Sequence, residues 1–223
     1  MSAQTKIATP SELAAFIDHT ILKPDARKED ARRFCQEAVT YGFRAVCVNS
    51  CFIPLVAEIL QGHFPVPCAV VGFPLGAMAC DIKVAETRWV VERGAREIDM
   101  VINIGALREG ASEVVRDEIA AVKRACGKAL LKVIIETVLL TDKEKAEASR
   151  LSKEAGADFV KTSTGFSHRG ATVHDVALIR ETVGDALGVK ASGGIRTFAD
   201  ALMMIDAGAN RIGASSSIAI ISG

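Results

Sequence analysis

Along the chain, segments whose hydrophobic residues suit a buried strand alternate with segments whose hydrophobic residues recur at the spacing of a helix. Short apolar segments rich in β-branched residues, each followed by glycine or polar residues, are typical of buried strands. Between them apolar residues recur at helical spacing, as Ala31, Phe34, Cys35 and Ala38 do within residues 28–41. The pattern therefore predicts strands and helices in alternation.

Eight strands follow from this pattern and recur roughly every 22 to 34 residues, as in a closed parallel barrel. We predict strands at residues 17–20, 43–49, 66–73, 97–103, 130–136, 159–161, 189–191 and 211–213. We predict helices at residues 11–16, 28–41, 54–60, 81–93, 109–125, 141–155, 173–183 and 197–207. The expected fold is α/β, a single (β/α)8 TIM barrel in one domain over residues 1–223. A doubly wound open sheet is the alternative, but the eightfold repeat and the lack of GxGxxG after the first strong strand count against it.

Composition and charge limit the classes of molecule that we expect the protein to bind. The 223 residues carry 27 basic and 27 acidic side chains without blocks of like charge, which argues against nucleic acid and acidic membranes as partners. No uncharged run approaches the length of a membrane span, and the polar residues 1–10 lack the apolar region of an export signal. Six cysteines without CxxC pairs suit reduced, mostly buried thiols. We therefore expect a cytoplasmic protein that binds a small molecule.

The segment Ala-Asp-Phe-Val-Lys-Thr-Ser-Thr-Gly-Phe at residues 157–166 is the first candidate for chemistry. Phe159 and Val160 suit a buried strand, yet Lys161 follows directly and precedes three hydroxyl residues and a glycine. A buried ammonium is costly unless it is paired or neutral, and a neutral lysine amine attacks carbonyl carbons. Lys161 is therefore a candidate for Schiff-base catalysis. The alternative is a strand-end lysine whose ammonium reaches solvent.

Other ionisable residues lie near the carboxyl ends of predicted strands, where this fold places catalytic groups. Because strand side chains alternate, Asp99 is expected to point into the barrel while Ile98 and Met100 face the helices. By the same rule Lys132 and Glu136 share one face of the fifth strand. An ion pair between these two is expected if that face is the interior.

Lys190 belongs to the strand after the one that carries Lys161, and neighbouring strands lie about 4.8 Å apart. A like charge about 5 Å away, at an effective dielectric constant near 20, disfavours a second ammonium by roughly 3 kcal/mol. The sequence thus predicts that Lys190 keeps a fraction of Lys161 neutral and nucleophilic. The alternative is a Lys190 that pairs with Asp99 or Asp18 and only stabilises the barrel.

Glycine-containing turns follow the seventh and eighth predicted strands, the pair of loops at which this fold often holds phosphate. The turns are Lys-Ala-Ser-Gly-Gly-Ile at 190–195 and Arg-Ile-Gly-Ala-Ser-Ser-Ser at 211–217, and Gly165 after the sixth strand adds a third contact. Such turns expose backbone N–H groups to an anion. A phosphorylated substrate is therefore expected. The alternative is ordinary glycine turns at strand ends.

Seven motifs run in order along nearly the whole chain. They are IDHT at 17–20, VCVN at 46–49, VGFPLG at 71–76, EIDMV at 97–101, LKVIIET at 131–137, FVKTSTG at 159–165 and VKASGGI at 189–195. Together they resemble the deoxyribose-phosphate aldolases, and the lysine with STG and the lysine with ASGG are the most specific pair. The resemblance implies a class I aldolase that reversibly cleaves 2-deoxy-D-ribose 5-phosphate to D-glyceraldehyde 3-phosphate and acetaldehyde.

The resemblance also implies roles for individual residues. By position, Lys161 is the Schiff-base nucleophile, Lys190 its electrostatic partner and Asp99 the acid and base of proton transfer. The expected residues for substrate and phosphate binding are Asp18, Cys47, Lys132, Thr164, Gly165, Gly193, Gly194, Gly213, Ser215 and Ser216. For Cys47 the alternative is a small buried apolar side chain. A homodimer or a homotetramer is the expected assembly.

No metal or other cofactor is expected, because a protonated imine withdraws electrons as a metal ion would. The four histidines form neither an HxH nor an HExxH pattern. Two rival functions share the glycine turns. A barrel synthase or isomerase would use carboxylates in place of a lysine amine, and a non-catalytic phosphosugar-binding protein would need no neutral lysine.

Overall fold

Eight parallel strands close into a barrel in chain order in the computed structural model, which describes residues 9–222. The strands are β1 (Ile17–Ile21), β2 (Ala45–Val48), β3 (Val66–Val71), β4 (Glu97–Val101), β5 (Leu130–Ile134), β6 (Phe159–Lys161), β7 (Gly188–Ser192) and β8 (Arg211–Ala214). Each strand pairs with its neighbour in sequence, and β8 pairs with β1 to complete the ring. The predicted TIM barrel is confirmed.

Helices connect the strands and cover the outside of the barrel. They are α1 (Pro10–Ala14), α2 (Lys28–Tyr41), α3 (Ile53–Ile59), α4 (Cys80–Glu92), α5 (Ile104–Arg108), α6 (Ser112–Cys126), α7 (Asp142–Glu154), α8 (Val173–Val183), α9 (Phe198–Asp206) and α10 (Ser217–Ile221). Helix α2 has the predicted bounds because Gly42, with a left-handed φ of 71°, ends it. Within residues 9–222, no helix combines the length and the apolar character that crossing a bilayer requires.

The helices differ from the prediction in three places. Helix α1 begins at Pro10, because Thr9 caps it and proline suits the first helical turn. The helix predicted at 109–125 is α6, which begins only at Ser112. The short helix α5 precedes it and was not predicted, and Gly110, with a left-handed φ of 79°, lies between the two. Helix α10 is absent from the prediction, because its five residues are too few to show a helical period.

The main core lies between the barrel and its helices. There the outward-facing apolar residues of the strands, such as Ile98 and Val160, pack against the buried faces of the helices. A smaller cluster that includes Ala45, Cys47 and Cys68 fills part of the barrel interior. Small side chains on this side leave room for long charged residues from the other strands.

Candidate active site

Lys161 is the last residue of β6, and its amine reaches Asp99 on β4. The Lys161 Nζ lies 2.8 Å from Asp99 Oδ2, and only 3% of the lysine is exposed. In the register of the parallel strands Lys161 lies opposite Lys190 on β7, and Asp99 lies opposite Lys132 on β5. The alternation of strand side chains therefore brings together the three predicted catalytic residues, and Asp99 points inward as expected.

Charged side chains from six strands form a buried layer in the barrel, called here the interior charge layer. Lys132 Nζ lies 2.7 Å from Glu97 Oε2 and 2.7 Å from Asp99 Oδ1. Lys190 Nζ lies 2.7 Å from Asp99 Oδ2 and also donates to Asp18. The full layer consists of Asp18, Glu97, Asp99, Lys132, Lys161, Lys190 and Arg211.

The carboxylates of this layer are paired even without Lys161. Arg211 Nη1 lies 2.7 Å from Asp18 Oδ1 and 2.8 Å from Glu97 Oε2. Three carboxylates therefore face three cations other than Lys161, namely Lys132, Lys190 and Arg211. Lys161 can give up its proton without leaving a carboxylate of the layer unpaired. This is the charge arrangement that a lysine nucleophile requires.

Asp99 and Lys190, the two other predicted catalytic residues, stay ionised at neutral pH. Burial by itself would raise the pKa of Asp99, but the charges of Lys132, Lys161 and Lys190 outweigh it and hold that pKa well below its usual value. Burial likewise would lower the pKa of Lys190, but Asp18 and Asp99 raise it above that of an exposed lysine. The ion pairs of Lys190 with Asp18 and Asp99, which were the alternative prediction for this residue, are thus present. They offset part of its predicted repulsion with Lys161.

Glu136 does not form the ion pair with Lys132 that strand alternation led us to expect. Strand β5 ends at Ile134, and Glu136 has a left-handed φ of 53°, which is uncommon for a residue other than glycine. Its carboxylate accepts hydrogen bonds from the Thr164 hydroxyl and from the Thr164 backbone N–H, the latter at 3.3 Å. Glu136 thus supports the loop after Lys161 from outside the interior charge layer.

Cys47 lies inside the barrel, fully buried and opposite Cys68 in the register of β2 and β3. The hydrogen bond from Cys68 lowers the pKa of the Cys47 thiol against the effect of burial. The Cys68 Sγ also lies 3.3 Å from Asp99 Oδ1 and so contacts the interior charge layer, and the Cys47 Sγ lies within 4.8 Å of an Asp99 carboxylate oxygen. This position agrees with the alternative reading of Cys47 as a small buried side chain.

Two groups of described side chains are close enough together to hold a metal ion: Cys47, Cys68 and Asp99, and Asp18, Cys68 and Glu97. The Lys132 ammonium already contacts members of both groups, at 3.3 Å from Cys68 Sγ and 2.7 Å from Glu97 Oε2. A metal ion would have to displace this cation. We therefore assign no metal to either group.

A cavity of about 900 Å³ opens at the carboxyl ends of the strands, and Lys161 lines it. Seven of the predicted binding residues line the same cavity: Thr164, Gly165, Gly193, Gly194, Gly213, Ser215 and Ser216. The turns after β6, β7 and β8 therefore form one site with the lysine. The other three predicted residues, Asp18, Cys47 and Lys132, lie deeper in the barrel and are fully buried.

Glycine is needed at two points of this cavity for different reasons. Gly194 has a left-handed φ of 79°, but a side chain there would meet no atom within 4 Å. At Gly213 a Cβ atom would collide with the Ser192 hydroxyl and lie 3.0 Å from Lys190 Cε. Gly194 is thus required by its backbone, and Gly213 leaves room for two side chains of β7.

Sequence reasoning missed Ser192 and Phe166, which also line the cavity. Ser192 lies two residues after Lys190 on β7, so the strand period already places both on one face. Phe166 packs edge-on against Phe73 with ring centroids 5.2 Å apart, a contact between distant segments that no local pattern reveals. The first turns of α2, including Arg33, form another wall of the cavity.

Comparison with known proteins agrees with this geometry. Residues 13–223 match the DeoC/LacD family aldolase. The chain belongs to this family. The resemblance carried by the seven motifs is therefore confirmed.

Relatives in this family are similar over almost their whole length. A deoxyribose-phosphate aldolase of Rhodospirillum rubrum is 65% identical over 211 residues, covering 95% of this chain and 89% of that protein. One of Clostridium tetani is 57% identical over 211 residues, covering 94% of this chain and 98% of that protein. The deoxyribose phosphate aldolase of Aeropyrum pernix, whose structure is tetrameric, superposes with a TM-score of 0.89 at 36% identity, covering 96% of this chain and 91% of that chain.

Proposed function

We propose that this protein is a class I aldolase that reversibly cleaves 2-deoxy-D-ribose 5-phosphate to D-glyceraldehyde 3-phosphate and acetaldehyde. The observation that carries the proposal is the place of Lys161 between Asp99 and the glycine turns. Its amine lies 2.8 Å from a carboxylate and lines a cavity whose turns suit a phosphate. Membership of the DeoC/LacD family and the names of the relatives support the same substrate.

The reaction begins at the aldehyde carbon of the open-chain sugar. The neutral amine of Lys161 attacks this carbon, and loss of water leaves a protonated imine. The C3 hydroxyl then loses its proton, and the bond between C2 and C3 breaks with its electrons moving towards the imine nitrogen. Glyceraldehyde 3-phosphate departs, and the two remaining carbons stay on the lysine as an enamine.

Asp99 serves as the acid and base of these proton transfers. Its Oδ2 lies 2.8 Å from Lys161 Nζ and 2.7 Å from Lys190 Nζ, so one carboxylate oxygen contacts both lysines. Because the pKa of Asp99 is low, it begins the cycle as a base. Returning a proton to C2 of the enamine gives the imine of acetaldehyde, which water hydrolyses to free Lys161. The charge of Lys190 supports the ionised form of Asp99.

The substrate phosphate binds the turns after β6, β7 and β8. Gly165, Gly193 and Gly194 have left-handed φ values of 86°, 84° and 79°. Glycine turns of this kind present backbone N–H groups to an anion. Ser215 and Ser216 are exposed beside them and add hydroxyl donors.

We also propose a cytoplasmic homodimer or homotetramer whose chain forms one domain. The tetramer of the Aeropyrum pernix relative supports an oligomer, and the family match over residues 13–223 supports one domain. The six free cysteines suit a reducing compartment. Light scattering on the purified protein measures the assembly directly.

Reductive trapping tests the central claim. The protein is treated with acetaldehyde and borohydride and then digested, and the peptides are mapped by mass. We expect one N-ethyl group at Lys161 and loss of cleavage activity in parallel with the labelling. A synthase, an isomerase or a phosphosugar-binding protein would not be inactivated at a single lysine. Active protein without a label at Lys161 would overturn the proposal.

A further inference from the structure

His19 lies on the outer side of β1, next to the turn that follows β8. It is almost fully buried and stacks on Phe34 at a ring-centroid distance of 4.1 Å. The ring of Phe43 also packs against His19, with ring centroids 4.9 Å apart. Its neighbour Asp18 points into the barrel, so His19 belongs to the packing between barrel and helices. The proposed reaction gives His19 no role.

Both ring nitrogens of His19 have a partner. Nδ1 lies 2.8 Å from the Ser217 hydroxyl, and Nε2 lies 2.7 Å from Glu37 Oε2. The Ser217 Oγ also lies 3.0 Å from the backbone carbonyl oxygen of Ala214. Serine, histidine and carboxylate occur in the same order in hydrolase triads, but Ser217 is fully buried and cannot meet a substrate. The three residues therefore form a structural link.

The direction of these hydrogen bonds follows from counting protons. The Glu37 carboxylate only accepts, so His19 Nε2 carries a proton and donates it. Burial lowers the pKa of His19 against the effect of Glu37, and Arg33, 3.1 Å from the other oxygen of Glu37, lowers it further. In the neutral ring Nδ1 is then an acceptor. The single proton of the Ser217 hydroxyl has two acceptors within reach, Nδ1 at 2.8 Å and the Ala214 carbonyl oxygen at 3.0 Å, and forms a bifurcated hydrogen bond to both. Ser217 is thus tied to β1 through His19.

Ser217 closes the short turn that contains Ser215 and Ser216, which line the cavity. We propose that His19 is a positioning residue for the substrate phosphate, because its bond to Ser217 holds this turn in place on β1. The inference rests on the proposed function, since it takes the turn as a phosphate contact. Among residues 9–222, no hydrogen bond joins the side chain of His19 or Ser217 to Lys161 or Asp99. Imine formation should therefore not depend on His19.

Two variants test the link from its two ends. His19→Phe keeps an aromatic ring between Phe34 and Phe43 but removes both nitrogens, and Ser217→Ala removes the hydroxyl. In each we expect the KM for 2-deoxyribose 5-phosphate to rise about fivefold, the loss typical of one neutral hydrogen bond. The kcat, and the kcat/KM for unphosphorylated 2-deoxyribose, should stay within about twofold. The double variant should be no worse than Ser217→Ala alone, because that variant already lacks the bond that His19→Phe removes.

A conservative substitution provides a rescue. His19→Asn keeps an oxygen near the position of Nδ1, which can accept the Ser217 proton, but it loses the bond to Glu37. We expect its KM to stay within about twofold of the parent protein. The matched control is His174→Asn, because His174 forms a similar pair with Asp142 at 2.8 Å on the exposed surface. That control should leave all constants unchanged.

Equal losses for phosphorylated and unphosphorylated sugar would show that His19 only supports the fold, and would overturn the inference. An unchanged KM in both His19→Phe and Ser217→Ala would overturn it too. If His19→Phe does not fold, Ser217→Ala and His19→Asn still decide. Calorimetry of inorganic phosphate binding compares the parent protein with the same variants without any turnover. A parent protein that binds phosphate but is not labelled by acetaldehyde and borohydride would refute the proposed function and leave the role of His19 standing.

Discussion

The interior charge layer and the turns at the mouth of the barrel are built from different parts of the chain. The layer consists of long side chains that are almost fully buried, and Lys132, Lys161 and Lys190 each lie within 2.8 Å of a carboxylate oxygen of Asp99. The turns consist of glycines in left-handed conformations and of exposed serines. We therefore expect function in the layer to depend on side-chain charge, and function at the mouth to depend on backbone shape.

This difference predicts how substitutions in the two regions should differ. Changing Lys161, Asp99 or Lys190 in the layer should alter the chemistry of every substrate, phosphorylated or not, because it alters proton transfer and the charge near the amine. Changing a glycine at the mouth should alter only the recognition of phosphate. Measuring each variant with 2-deoxyribose 5-phosphate and with 2-deoxyribose separates the two effects.

Removing the nucleophile should have the largest effect. Lys161→Leu should show no detectable turnover of either sugar, because the substituent fits a strand but carries no amine. The protein should still fold, since Asp99 keeps Lys132 and Lys190 as partners. Turnover, thermal unfolding and labelling by acetaldehyde and borohydride should all be measured. Aldol cleavage retained in a folded variant would remove the central claim.

Removing the proton carrier should come next. Asp99→Asn should lower turnover by a factor of about several hundred for both sugars, because it keeps the shape but loses proton transfer. Glu97→Gln is the matched control, because Glu97 lies two residues earlier on β4 and pairs with Lys132 and Arg211. That variant should lose stability but keep most of its rate. A normal rate in Asp99→Asn would leave Asp99 with a structural role only.

The same variant also tests the electrostatic account through stability. The pKa of Asp99 lies below its ordinary value of 3.8, so its charge stabilises the fold above that pH. The contribution is lost as pH falls through the lower, folded pKa. Unfolding free energies measured from about pH 7 down to about pH 3 should therefore fall less steeply in Asp99→Asn than in the parent protein. Identical slopes would contradict a low pKa at Asp99.

The sequence was sufficient to predict the barrel and the inward direction of Asp99, because both follow from a strand period repeated eight times. It was also sufficient to place Lys161 and Lys190 on neighbouring strands, which the register confirms. Glu136 was misjudged because strand β5 ends at Ile134, two residues before the end of the predicted strand. An alternation rule fails once the backbone leaves the extended conformation.

The pairing within the layer could not be predicted from local patterns. Arg211 meets Glu97 across the barrel from β8 to β4, a contact between residues 114 positions apart. The bond between His19 and Ser217 joins residues 198 positions apart. Which cation meets which carboxylate depends on the stagger of all eight strands around the ring, and no single segment encodes it.

Removing Lys190 should have a smaller and pH-dependent effect on rate. Lys190→Leu leaves Asp18 and Asp99 short of a partner, which should cost about 3–5 kcal/mol of stability. If the charge of Lys190 also disfavours a second ammonium, activity should fall about tenfold at neutral pH and recover in part as pH rises, because deprotonation restores the amine of Lys161. The measurement is kcat/KM from about pH 6 to about pH 10.

Lys132→Leu is the control for that profile. Lys132 also pairs with buried carboxylates, namely Asp18, Glu97 and Asp99, but it lies opposite Asp99 in the register and not opposite Lys161. It should lose stability without moving the acidic limb of the profile. An unshifted acidic limb in Lys190→Leu as well would mean that Lys190 only stabilises the barrel.

The smallest expected effect lies at the mouth. In Gly194→Ala the added methyl group meets no atom within 4 Å, so any loss of function comes from backbone strain and from crowding of the bound phosphate. Gly62 is a matched control, because its φ of 80° is almost the same and a side chain there also meets no atom within 4 Å. Both variants should lose about 1–2 kcal/mol of stability from left-handed strain.

Only Gly194→Ala should raise the KM for 2-deoxyribose 5-phosphate, by about tenfold, while the kcat/KM for 2-deoxyribose stays within about twofold. Equal losses for the two sugars would show that strain at Gly194 disturbs the whole site, and the contrast between layer and mouth would fail.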